Sequence, residues 1–292
     1  MIPSEKKSLV YALLAVLCWS TVATAFKLAL DQQSRFQLLL SANLVSVFVL
    51  AAVLAAQQKL MPALTQWRSW RTACASAAIN PAIYYLILFQ AYELLPAQVA
   101  QPINYTWAIT LSLGALVVLR QRLVWRDLLG ILLGYAGVVV ISVAGWQAGL
   151  DVPLFGVGLA LLSTLLWAGY WLLNARDSRE PVQGLLQNFL LALPLTGIAW
   201  WIFDGHWVAE RRALLSAAYV GVFEMGIAFL FWLLALKHAK RASSVAGLIF
   251  ISPFLSLFFI HTVLGEPVGW LTIGGLGLLV LGLLLKQSTS KL

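Results

Sequence analysis

Charged side chains are scarce in this chain. Asp, Glu, Lys and Arg together make up 10% of its 292 residues, whereas a soluble domain carries about 25%. Hydrophobic residues account for 61%, and the mean hydropathy is +0.88. Too few polar side chains are left to cover a water-facing surface. The composition therefore excludes a water-soluble protein and predicts an integral membrane protein.

The sequence also lacks the motifs of several functional classes. It contains no metal-ligand cluster, no nucleotide-binding loop and no paired nucleophile and base, so we expect no metal, no cofactor, no enzymatic activity and no ATP-driven pumping. Few residues remain outside the apolar stretches, which argues against a receptor or a scaffold. The basic residues form no separate patch or tail, so the net charge of +8 gives no support for a nucleic-acid partner. The expected partners are membrane lipid and a small-molecule substrate, without an obligate protein partner.

Apolar stretches, in contrast, are long and numerous. A helix needs about 20 apolar residues to cross the roughly 30 Å hydrocarbon core of a bilayer. Applied along the chain, this length predicts an all-α membrane protein with ten transmembrane helices. The predicted spans are Leu9–Leu30, Phe36–Ala56, Thr72–Tyr92, Ala97–Leu119, Leu128–Gly145, Phe155–Ala175, Val182–Phe203, Leu214–Leu236, Ala242–Leu264 and Val268–Leu285.

The Lys and Arg residues predict the orientation of these spans. Fifteen of the 19 lie near the termini or in every second gap between apolar stretches, as Arg122 and Arg241 do. Cytoplasmic loops are enriched in Lys and Arg. We therefore expect these gaps, together with the N- and C-termini, to be cytoplasmic. The four exceptions are Lys27, Arg35, Arg211 and Arg212.

The chain repeats itself. The pattern around Trp19 recurs 148 positions later around Trp167, and Trp125, Gly130 and Gly137 recur as Trp270, Gly275 and Gly282. Residues 1–146 and 147–292 are therefore predicted to form two repeats of five spans each. Because five is odd, the second repeat must enter the membrane in the opposite orientation, as in transporters with inverted-topology repeats.

Several short motifs carry a resemblance to a known group of proteins. They are Trp19-Ser20-Thr21 with Phe26-Lys27, Pro96-Ala97, Arg122-Leu123-Val124-Trp125-Arg126 with Gly130 and Gly137, and Gly265-Glu266-Pro267. With these motifs the chain resembles the drug/metabolite transporter (DMT) superfamily in its EamA-like ten-helix form. The resemblance covers essentially the whole chain and implies a multi-pass transporter of the bacterial inner membrane.

Two further motifs narrow the resemblance to the bacterial aromatic amino acid exporters. They are Asn104-Tyr105-Thr106-Trp107 and Trp167-Ala168-Gly169-Tyr170, the second followed by Asn174. The resemblance implies export of aromatic amino acids from the cytoplasm. It also implies substrate-binding roles for the polar side chains of these motifs, which are Asn104, Tyr105, Tyr170 and Asn174.

Depth in the membrane selects further candidates for substrate binding. At about 1.5 Å of rise per residue, five side chains from five spans lie about 15–18 Å from their span ends, near the midplane where such transporters bind substrate. They are Trp19, Tyr84, Trp107, Trp167 and Glu224. The alternative for the Trp residues is helix packing or lipid contact. Nine other Trp residues, including Trp232 and Trp270, lie near span ends and are expected to anchor the protein at the interface.

Two ionisable residues inside the spans have functional and structural interpretations. Glu224 is the only acidic residue deep in a span, and it is either a proton-coupling group or a protonated side chain that bonds a neighbouring helix. Lys27 lies near the outer end of the first span. It either pairs with Asp31, four residues further on, or holds a substrate carboxylate.

The sequence therefore predicts a secondary carrier or facilitator. It is expected to export aromatic amino acids and related small amphipathic metabolites by alternating access through a central cavity. Two alternatives remain: a drug or metabolite exporter of broad specificity, in which transport could be proton-coupled, and a passive channel.

Overall fold

A computed structural model describes residues 5–107, 109–111, 113, 125–174, 177–238 and 247–289. Within these ranges the chain is helical and contains no β-strand. Arg122 and Arg241, which belong to predicted cytoplasmic loops, lie outside the described residues, as does the end of the predicted fourth span.

The described part of the first half contains α-helices α1 to α7. They are α1 (Glu5–Leu30), α2 (Arg35–Ala56), the short α3 (Leu60–Thr65), α4 (Trp67–Ala77), α5 (Tyr84–Leu94), α6 (Ala97–Tyr105) and α7 (Trp125–Gln147). A wider, π-helical segment, Ala78–Ile83, joins α4 to α5. Together these two helices form one long apolar span.

The described part of the second half contains α8 to α13. They are α8 (Leu154–Asn174), α9 (Pro181–Phe203), α10 (Arg211–Tyr219), α11 (Ala228–His238), α12 (Ser252–Phe259) and α13 (Trp270–Thr289). Wider helical segments also occur here, at Val220–Ile227 between α10 and α11 and at Ile260–Leu264 after α12. A 3₁₀ turn, Gly247–Ile251, precedes α12.

Seven helical segments in the described part of the chain are long and apolar enough to cross a membrane. They are Glu5–Leu30, Arg35–Ala56, Ala73–Leu94, Leu128–Gln147, Leu154–Asn174, Pro181–Phe203 and Arg211–Ala235. Two shorter apolar helices, Leu248–Leu264 and Trp270–Leu285, lie within the predicted ninth and tenth spans. These segments make the chain a multi-pass, all-helical membrane protein.

Both long spans that contain a π-helical segment carry a candidate site residue in or next to it. In the first, Asn80 leaves the helical conformation, with φ −134° and ψ 120°, directly before Pro81. Tyr84 begins the helix that follows. In the second, Glu224 lies inside the irregular segment itself. Irregular turns of this kind redirect side chains and are frequent at functional sites.

Helices α7 and α13 pack along each other through glycines. A Cβ atom on Gly137 would lie 2.5 Å from the carbonyl oxygen of Gly275, and one on Gly282 would lie 2.4 Å from the carbonyl oxygen of Gly130. Residue numbers rise along one helix as they fall along the other, so the two helices are antiparallel. Close backbone contact through small residues is typical of helix pairs in membranes.

We expect a Gly275→Ala substitution to destabilise the protein, whereas Gly274→Ala is neutral. The added methyl at position 275 would lie 2.7 Å from Ile141 and 2.9 Å from the Gly137 carbonyl oxygen, while position 274 has nothing within 4 Å. Overpacking of this kind costs about 1–3 kcal/mol. Thermal unfolding of the two variants in the same detergent measures the difference. Equal melting temperatures of the two variants would contradict the prediction, because they would show that α7 and α13 accommodate the added methyl group without loss of stability.

A partly buried ion pair lies in the loop after α8. The Arg179 guanidinium donates to the Asp177 carboxylate at 2.5 Å, and the two side chains are 5% and 9% exposed. Arg179 also donates to Gln187 Oε1 at 3.0 Å and to Asn188 Oδ1 at 3.1 Å, both on α9. This network fixes the connection between the two helices.

An Asp177→Asn substitution should lower stability at neutral pH and remove part of the acid sensitivity of the protein. Burial raises the pKa of the Asp177 carboxyl, but the hydrogen bonds and charge of Arg179 outweigh burial and hold that pKa below its ordinary value of 3.8. A carboxyl whose pKa is lowered by folding stabilises the protein above that value and loses its contribution as the pH falls through the folded-state pKa. Removing one member of a fully buried pair costs about 3–5 kcal/mol, and we expect a smaller loss here because both residues are only partly buried.

Melting temperatures measured from neutral pH to pH 3 test this expectation. The difference between wild type and Asp177→Asn should shrink in the acid range, whereas Asp151→Asn, at an exposed loop carboxylate, should follow the wild type throughout. A constant difference across the pH range contradicts the prediction.

Candidate functional site

A central cavity lies between α1, α5, α6, α8 and α11. Its volume is about 70 Å³. Seven of the residues selected from the sequence line it: Trp19, Tyr84, Asn104, Tyr105, Trp107, Trp167 and Glu224. The remaining lining residues are Val22, Phe26, Leu88, Tyr92, Gln101, Trp171, Trp232 and Ile249.

Trp167 is at the centre of the aromatic side chains of the site. Its ring stacks on Tyr84 with a centroid distance of 4.6 Å and lies 5.8 Å from Phe229 and 6.0 Å from Trp171. Trp19 contacts Phe229 in turn, edge to face at 6.0 Å. Ring pairs in such geometries are worth about 0.5–1.5 kcal/mol beyond the area they bury. The rings therefore form one connected apolar wall contributed by both halves of the chain.

Hydrogen bonds hold the polar side chains of α6 in place. Asn104 Nδ2 donates to Ser163 Oγ on α8 at 2.9 Å. Tyr105 donates its hydroxyl to Ser252 Oγ, at the start of α12, at 2.8 Å. The Tyr84 hydroxyl lies 3.5 Å from Asn104 Oδ1. The motif around Asn104 and Tyr105 thus connects α6 to helices of the second half.

Glu224 is the one acidic residue among the described residues that line the cavity. It is 8% exposed, and its Oε1 accepts a hydrogen bond from the Tyr85 hydroxyl at 3.0 Å. Its Oε2 is buried and accepts no hydrogen bond from the described residues. The Trp19 side chain lies beside the carboxylate. Tyr85 thus fixes Oε1, and the Trp19 side chain also contributes a hydrogen bond to the carboxylate, whereas no described residue meets hydrogen-bond geometry with Oε2.

Tyr170 and Asn174 lie behind the cavity wall and do not line it. Tyr170 is 1% exposed, and its ring packs against Trp167 at 5.6 Å. Its hydroxyl faces the side chains of Asn80, Asn174 and Asn188. The two residues therefore border a second polar cluster, next to the break in the span at Asn80.

The expected ion pair between Lys27 and Asp31 is wrong. The Lys27 ammonium instead donates to the carbonyl oxygens of Tyr92 at 2.8 Å and Leu95 at 3.2 Å. These carbonyls end helix α5, where unpaired acceptors and the helix dipole attract a cation. Lys27 lies outside the cavity wall and closes the end of a neighbouring helix.

Trp232 was expected to anchor the protein at the membrane interface, and this expectation is also wrong. It is 8% exposed, lines the cavity and lies 5.6 Å from Trp19. Counting from the predicted span end gave the depth of Trp232 but not the direction of its side chain, and α11 packs along α1 so that the ring faces Trp19. Trp171 was missed in the sequence, although its position one turn after Trp167 puts it on the same helix face.

Glu266 connects the loop before α13 to helix α6. Its carboxylate accepts the backbone N–H groups of Ala97 at 2.7 Å and Gln98 at 3.0 Å. Pro96, which precedes α6, provides no side-chain cap. Gly265, with φ of 69°, makes the turn that brings Glu266 to this position. A residue of the second half therefore caps the helix of the first half that carries Asn104 and Tyr105.

The fold and the cavity define a class of protein: a helical membrane transporter with a cavity lined by residues of both halves of the chain. The family model of the EamA-like transporter family matches this chain twice, at residues 6–143 and 154–286. The chain belongs to the EamA-like transporter family, within the DMT superfamily, and is a transporter, not an enzyme.

Individual relatives agree with this assignment. The chain is 27% identical over 232 residues to an uncharacterized transporter, YvbV, of Bacillus subtilis, covering 76% of this chain and 73% of the relative. It is 24% identical over 193 residues to the aromatic amino acid exporter YddG of Ancylobacter novellus, covering 65% of this chain and 67% of the relative. A solved crystal structure with 21% identity superposes with a TM-score of 0.72 over 99% of both chains, which supports the fold alone.

Proposed function

We propose that this protein is a secondary transporter that exports aromatic amino acids and related small amphipathic metabolites across the bacterial inner membrane. The observation that carries the proposal is the aromatic cavity, in which rings from both halves surround a few fixed polar groups. A mostly apolar pocket with few polar groups suits a small aromatic substrate. The similarity to YddG, which is itself an aromatic amino acid exporter, supports the same substrate class.

The proposed substrate-binding residues are Trp19, Tyr84, Asn104, Tyr105, Trp107 and Trp167, with Tyr170 and Asn174 behind them. The rings supply apolar contact area, and the hydroxyl and amide groups orient the substrate. In this proposal, Tyr170 and Asn174 act through the position of the Trp167 ring, against which Tyr170 packs.

We further propose a ten-helix architecture of two inverted five-helix repeats, residues 1–146 and 147–292. The reciprocal contacts of α7 and α13 support it, because exchanging Gly130 with Gly275 and Gly137 with Gly282 turns one contact into the other. Equivalent helices that run antiparallel are expected of inverted repeats. The two matches to one family model, at residues 6–143 and 154–286, are compatible with this division and support the proposal.

Alternating access between the repeats is the proposed mechanism, with both termini in the cytoplasm. Helix α1 packs on α11 and α12, and its counterpart α8 packs on α5 and α6. Because the packing is the same in both repeats, an arrangement open to one side of the membrane could convert into the equivalent arrangement open to the other side. A fluorescent protein that matures only in the cytoplasm, fused to residue 292, tests the position of the C-terminus.

Counterflow in proteoliposomes tests the proposed function. Purified protein is reconstituted into liposomes loaded with unlabelled tryptophan, and uptake of labelled tryptophan and phenylalanine is followed. A carrier of aromatic amino acids gives saturable uptake that unlabelled substrate inside the vesicle accelerates. Uptake that rises linearly and ignores internal substrate indicates a passive channel. Strong inhibition by many unrelated apolar compounds indicates an exporter of broad specificity.

A further inference from the structure

Only one of the two carboxylate oxygens of Glu224 has a partner at hydrogen-bond distance among the described residues. Tyr85 donates to Oε1 at 3.0 Å, while Oε2 is buried and has no hydrogen-bond partner among the described residues. Burying a carboxylate oxygen without a partner costs free energy, so such groups in native proteins call for a partner that arrives from elsewhere. The unpartnered oxygen belongs to a residue that lines the central cavity, the space in which the substrate is proposed to bind.

Among the described residues, the cationic side chains of Lys27 and Arg179 are engaged away from Glu224. The described residues that line the cavity include no Lys, Arg or His. Lys27 donates to two carbonyl oxygens at the end of α5. Arg179 pairs with Asp177 in the loop after α8. Within the described part of the chain, the cavity therefore offers one acceptor for a positive group and no cationic donor for a negative group.

The rings around Glu224 also suit a positive group. Trp19 lies beside the carboxylate, and both Trp19 and Trp167 contact Phe229, on the helix that follows Glu224. An ammonium group held against the face of a Trp or Tyr ring gains about 0.5–2 kcal/mol, the larger value when it is removed from water. A cation bound next to Glu224 would therefore contact a carboxylate oxygen and aromatic ring faces at the same time.

We propose that Oε2 of Glu224 binds the ammonium group of the substrate, so that the transporter selects aromatic compounds by their amine and not by their carboxylate. The hydroxyl of Tyr85 positions the carboxylate through Oε1. The substrate class is then aromatic primary amines, which includes aromatic amino acids but also their decarboxylated amines. This inference rests on the proposed function, because it assigns one group of the substrate to the proposed cavity.

Three compounds that share an indole ring test the proposal: tryptophan, tryptamine and indole-3-propionate. The second lacks the carboxylate and the third lacks the amine. Each is added as a competitor of labelled tryptophan in the counterflow assay. Tryptamine should compete at least as well as tryptophan, and indole-3-propionate should need about a tenfold higher concentration. Equal competition by indole-3-propionate and tryptamine overturns the proposal.

A Glu224→Gln variant adds the matched control. Its amide keeps an oxygen for the Tyr85 hydroxyl but loses the negative charge, so the preference for tryptamine over indole-3-propionate should fall by about tenfold. An unchanged preference in a folded variant overturns the role of Glu224. If the variant does not fold, the comparison of the three compounds on the wild type still decides the proposal.

Binding to the purified protein separates this proposal from the proposed function. Isothermal titration calorimetry reports binding of tryptamine without any need for transport. Tryptamine binding that Glu224→Gln weakens, together with absent tryptophan exchange, supports the amine site and overturns the assignment to aromatic amino acids. Binding of none of the three compounds overturns both.

Discussion

Replacing Trp167 with alanine is expected to abolish saturable exchange of aromatic substrate and to lower the melting temperature of the protein. Trp167 is 7% exposed and contacts Tyr84, Tyr170, Trp171 and Phe229. Removing a buried Trp side chain costs about 3–5 kcal/mol. It also leaves Tyr84 without the ring it stacks on, so the apolar wall of the cavity is lost along with stability.

Two comparisons separate lost binding from lost folding. Trp167→Phe keeps an aromatic ring and should retain part of the exchange at a raised half-saturation concentration. Trp201→Ala, at a Trp that is 73% exposed, should leave exchange and melting temperature unchanged. Exchange is measured by counterflow and folding by thermal unfolding in detergent. Normal exchange by a correctly folded Trp167→Ala protein would show that the substrate does not use this cavity.

A Glu266→Ala variant is expected to lose most transport, although Glu266 does not line the cavity. Its carboxylate accepts two backbone N–H groups in the first turn of α6, and Pro96 offers no substitute. Loss of an N-cap costs about 0.5–2 kcal/mol, and a charged acceptor at a helix N-terminus adds to this value. Since α6 carries Asn104 and Tyr105, a frayed first turn loosens the polar side of the site.

Counterflow rates and melting temperatures of three proteins measure this effect. Glu266→Gln keeps one oxygen to accept a hydrogen bond and should have intermediate activity. Glu210→Ala is the matched control, because Glu210 also precedes a helix but makes no side-chain cap. It should behave as the wild type does. The idea that the second half holds α6 in position is wrong if Glu266→Ala transports at the wild-type rate.

The candidate site was only partly predictable from the sequence. Depth along each span selected Trp19, Tyr84, Trp107, Trp167 and Glu224, and all five line one cavity. Depth gives a level in the membrane but not the direction in which a side chain points. Trp232 was therefore assigned to the interface, yet it lies against Trp19. Tyr170 was assigned to substrate, yet it lies behind Trp167.

The spacing of charged residues along the sequence did not predict which groups they contact. Lys27 and Asp31 have the spacing of a helical ion pair, but Lys27 bonds the carbonyl oxygens of Tyr92 and Leu95. Likewise, the sequence contains the Gly265-Glu266-Pro267 motif but gives no sign that Glu266 caps α6. Both contacts join residues more than 60 positions apart, so they depend on how the helices assemble.

The sequence by itself determined that this protein is a helical membrane protein, because the hydrophobic effect acts on composition and on the length of apolar stretches. Its short motifs carried the resemblance to the EamA-like transporters. It also determined which glycines recur in the two halves. Only the tertiary structure decided which rings meet, that Glu224 keeps a free oxygen, and that one half caps a helix of the other. Those facts follow from the rotation and contact of packed helices, which no pattern along a single chain specifies.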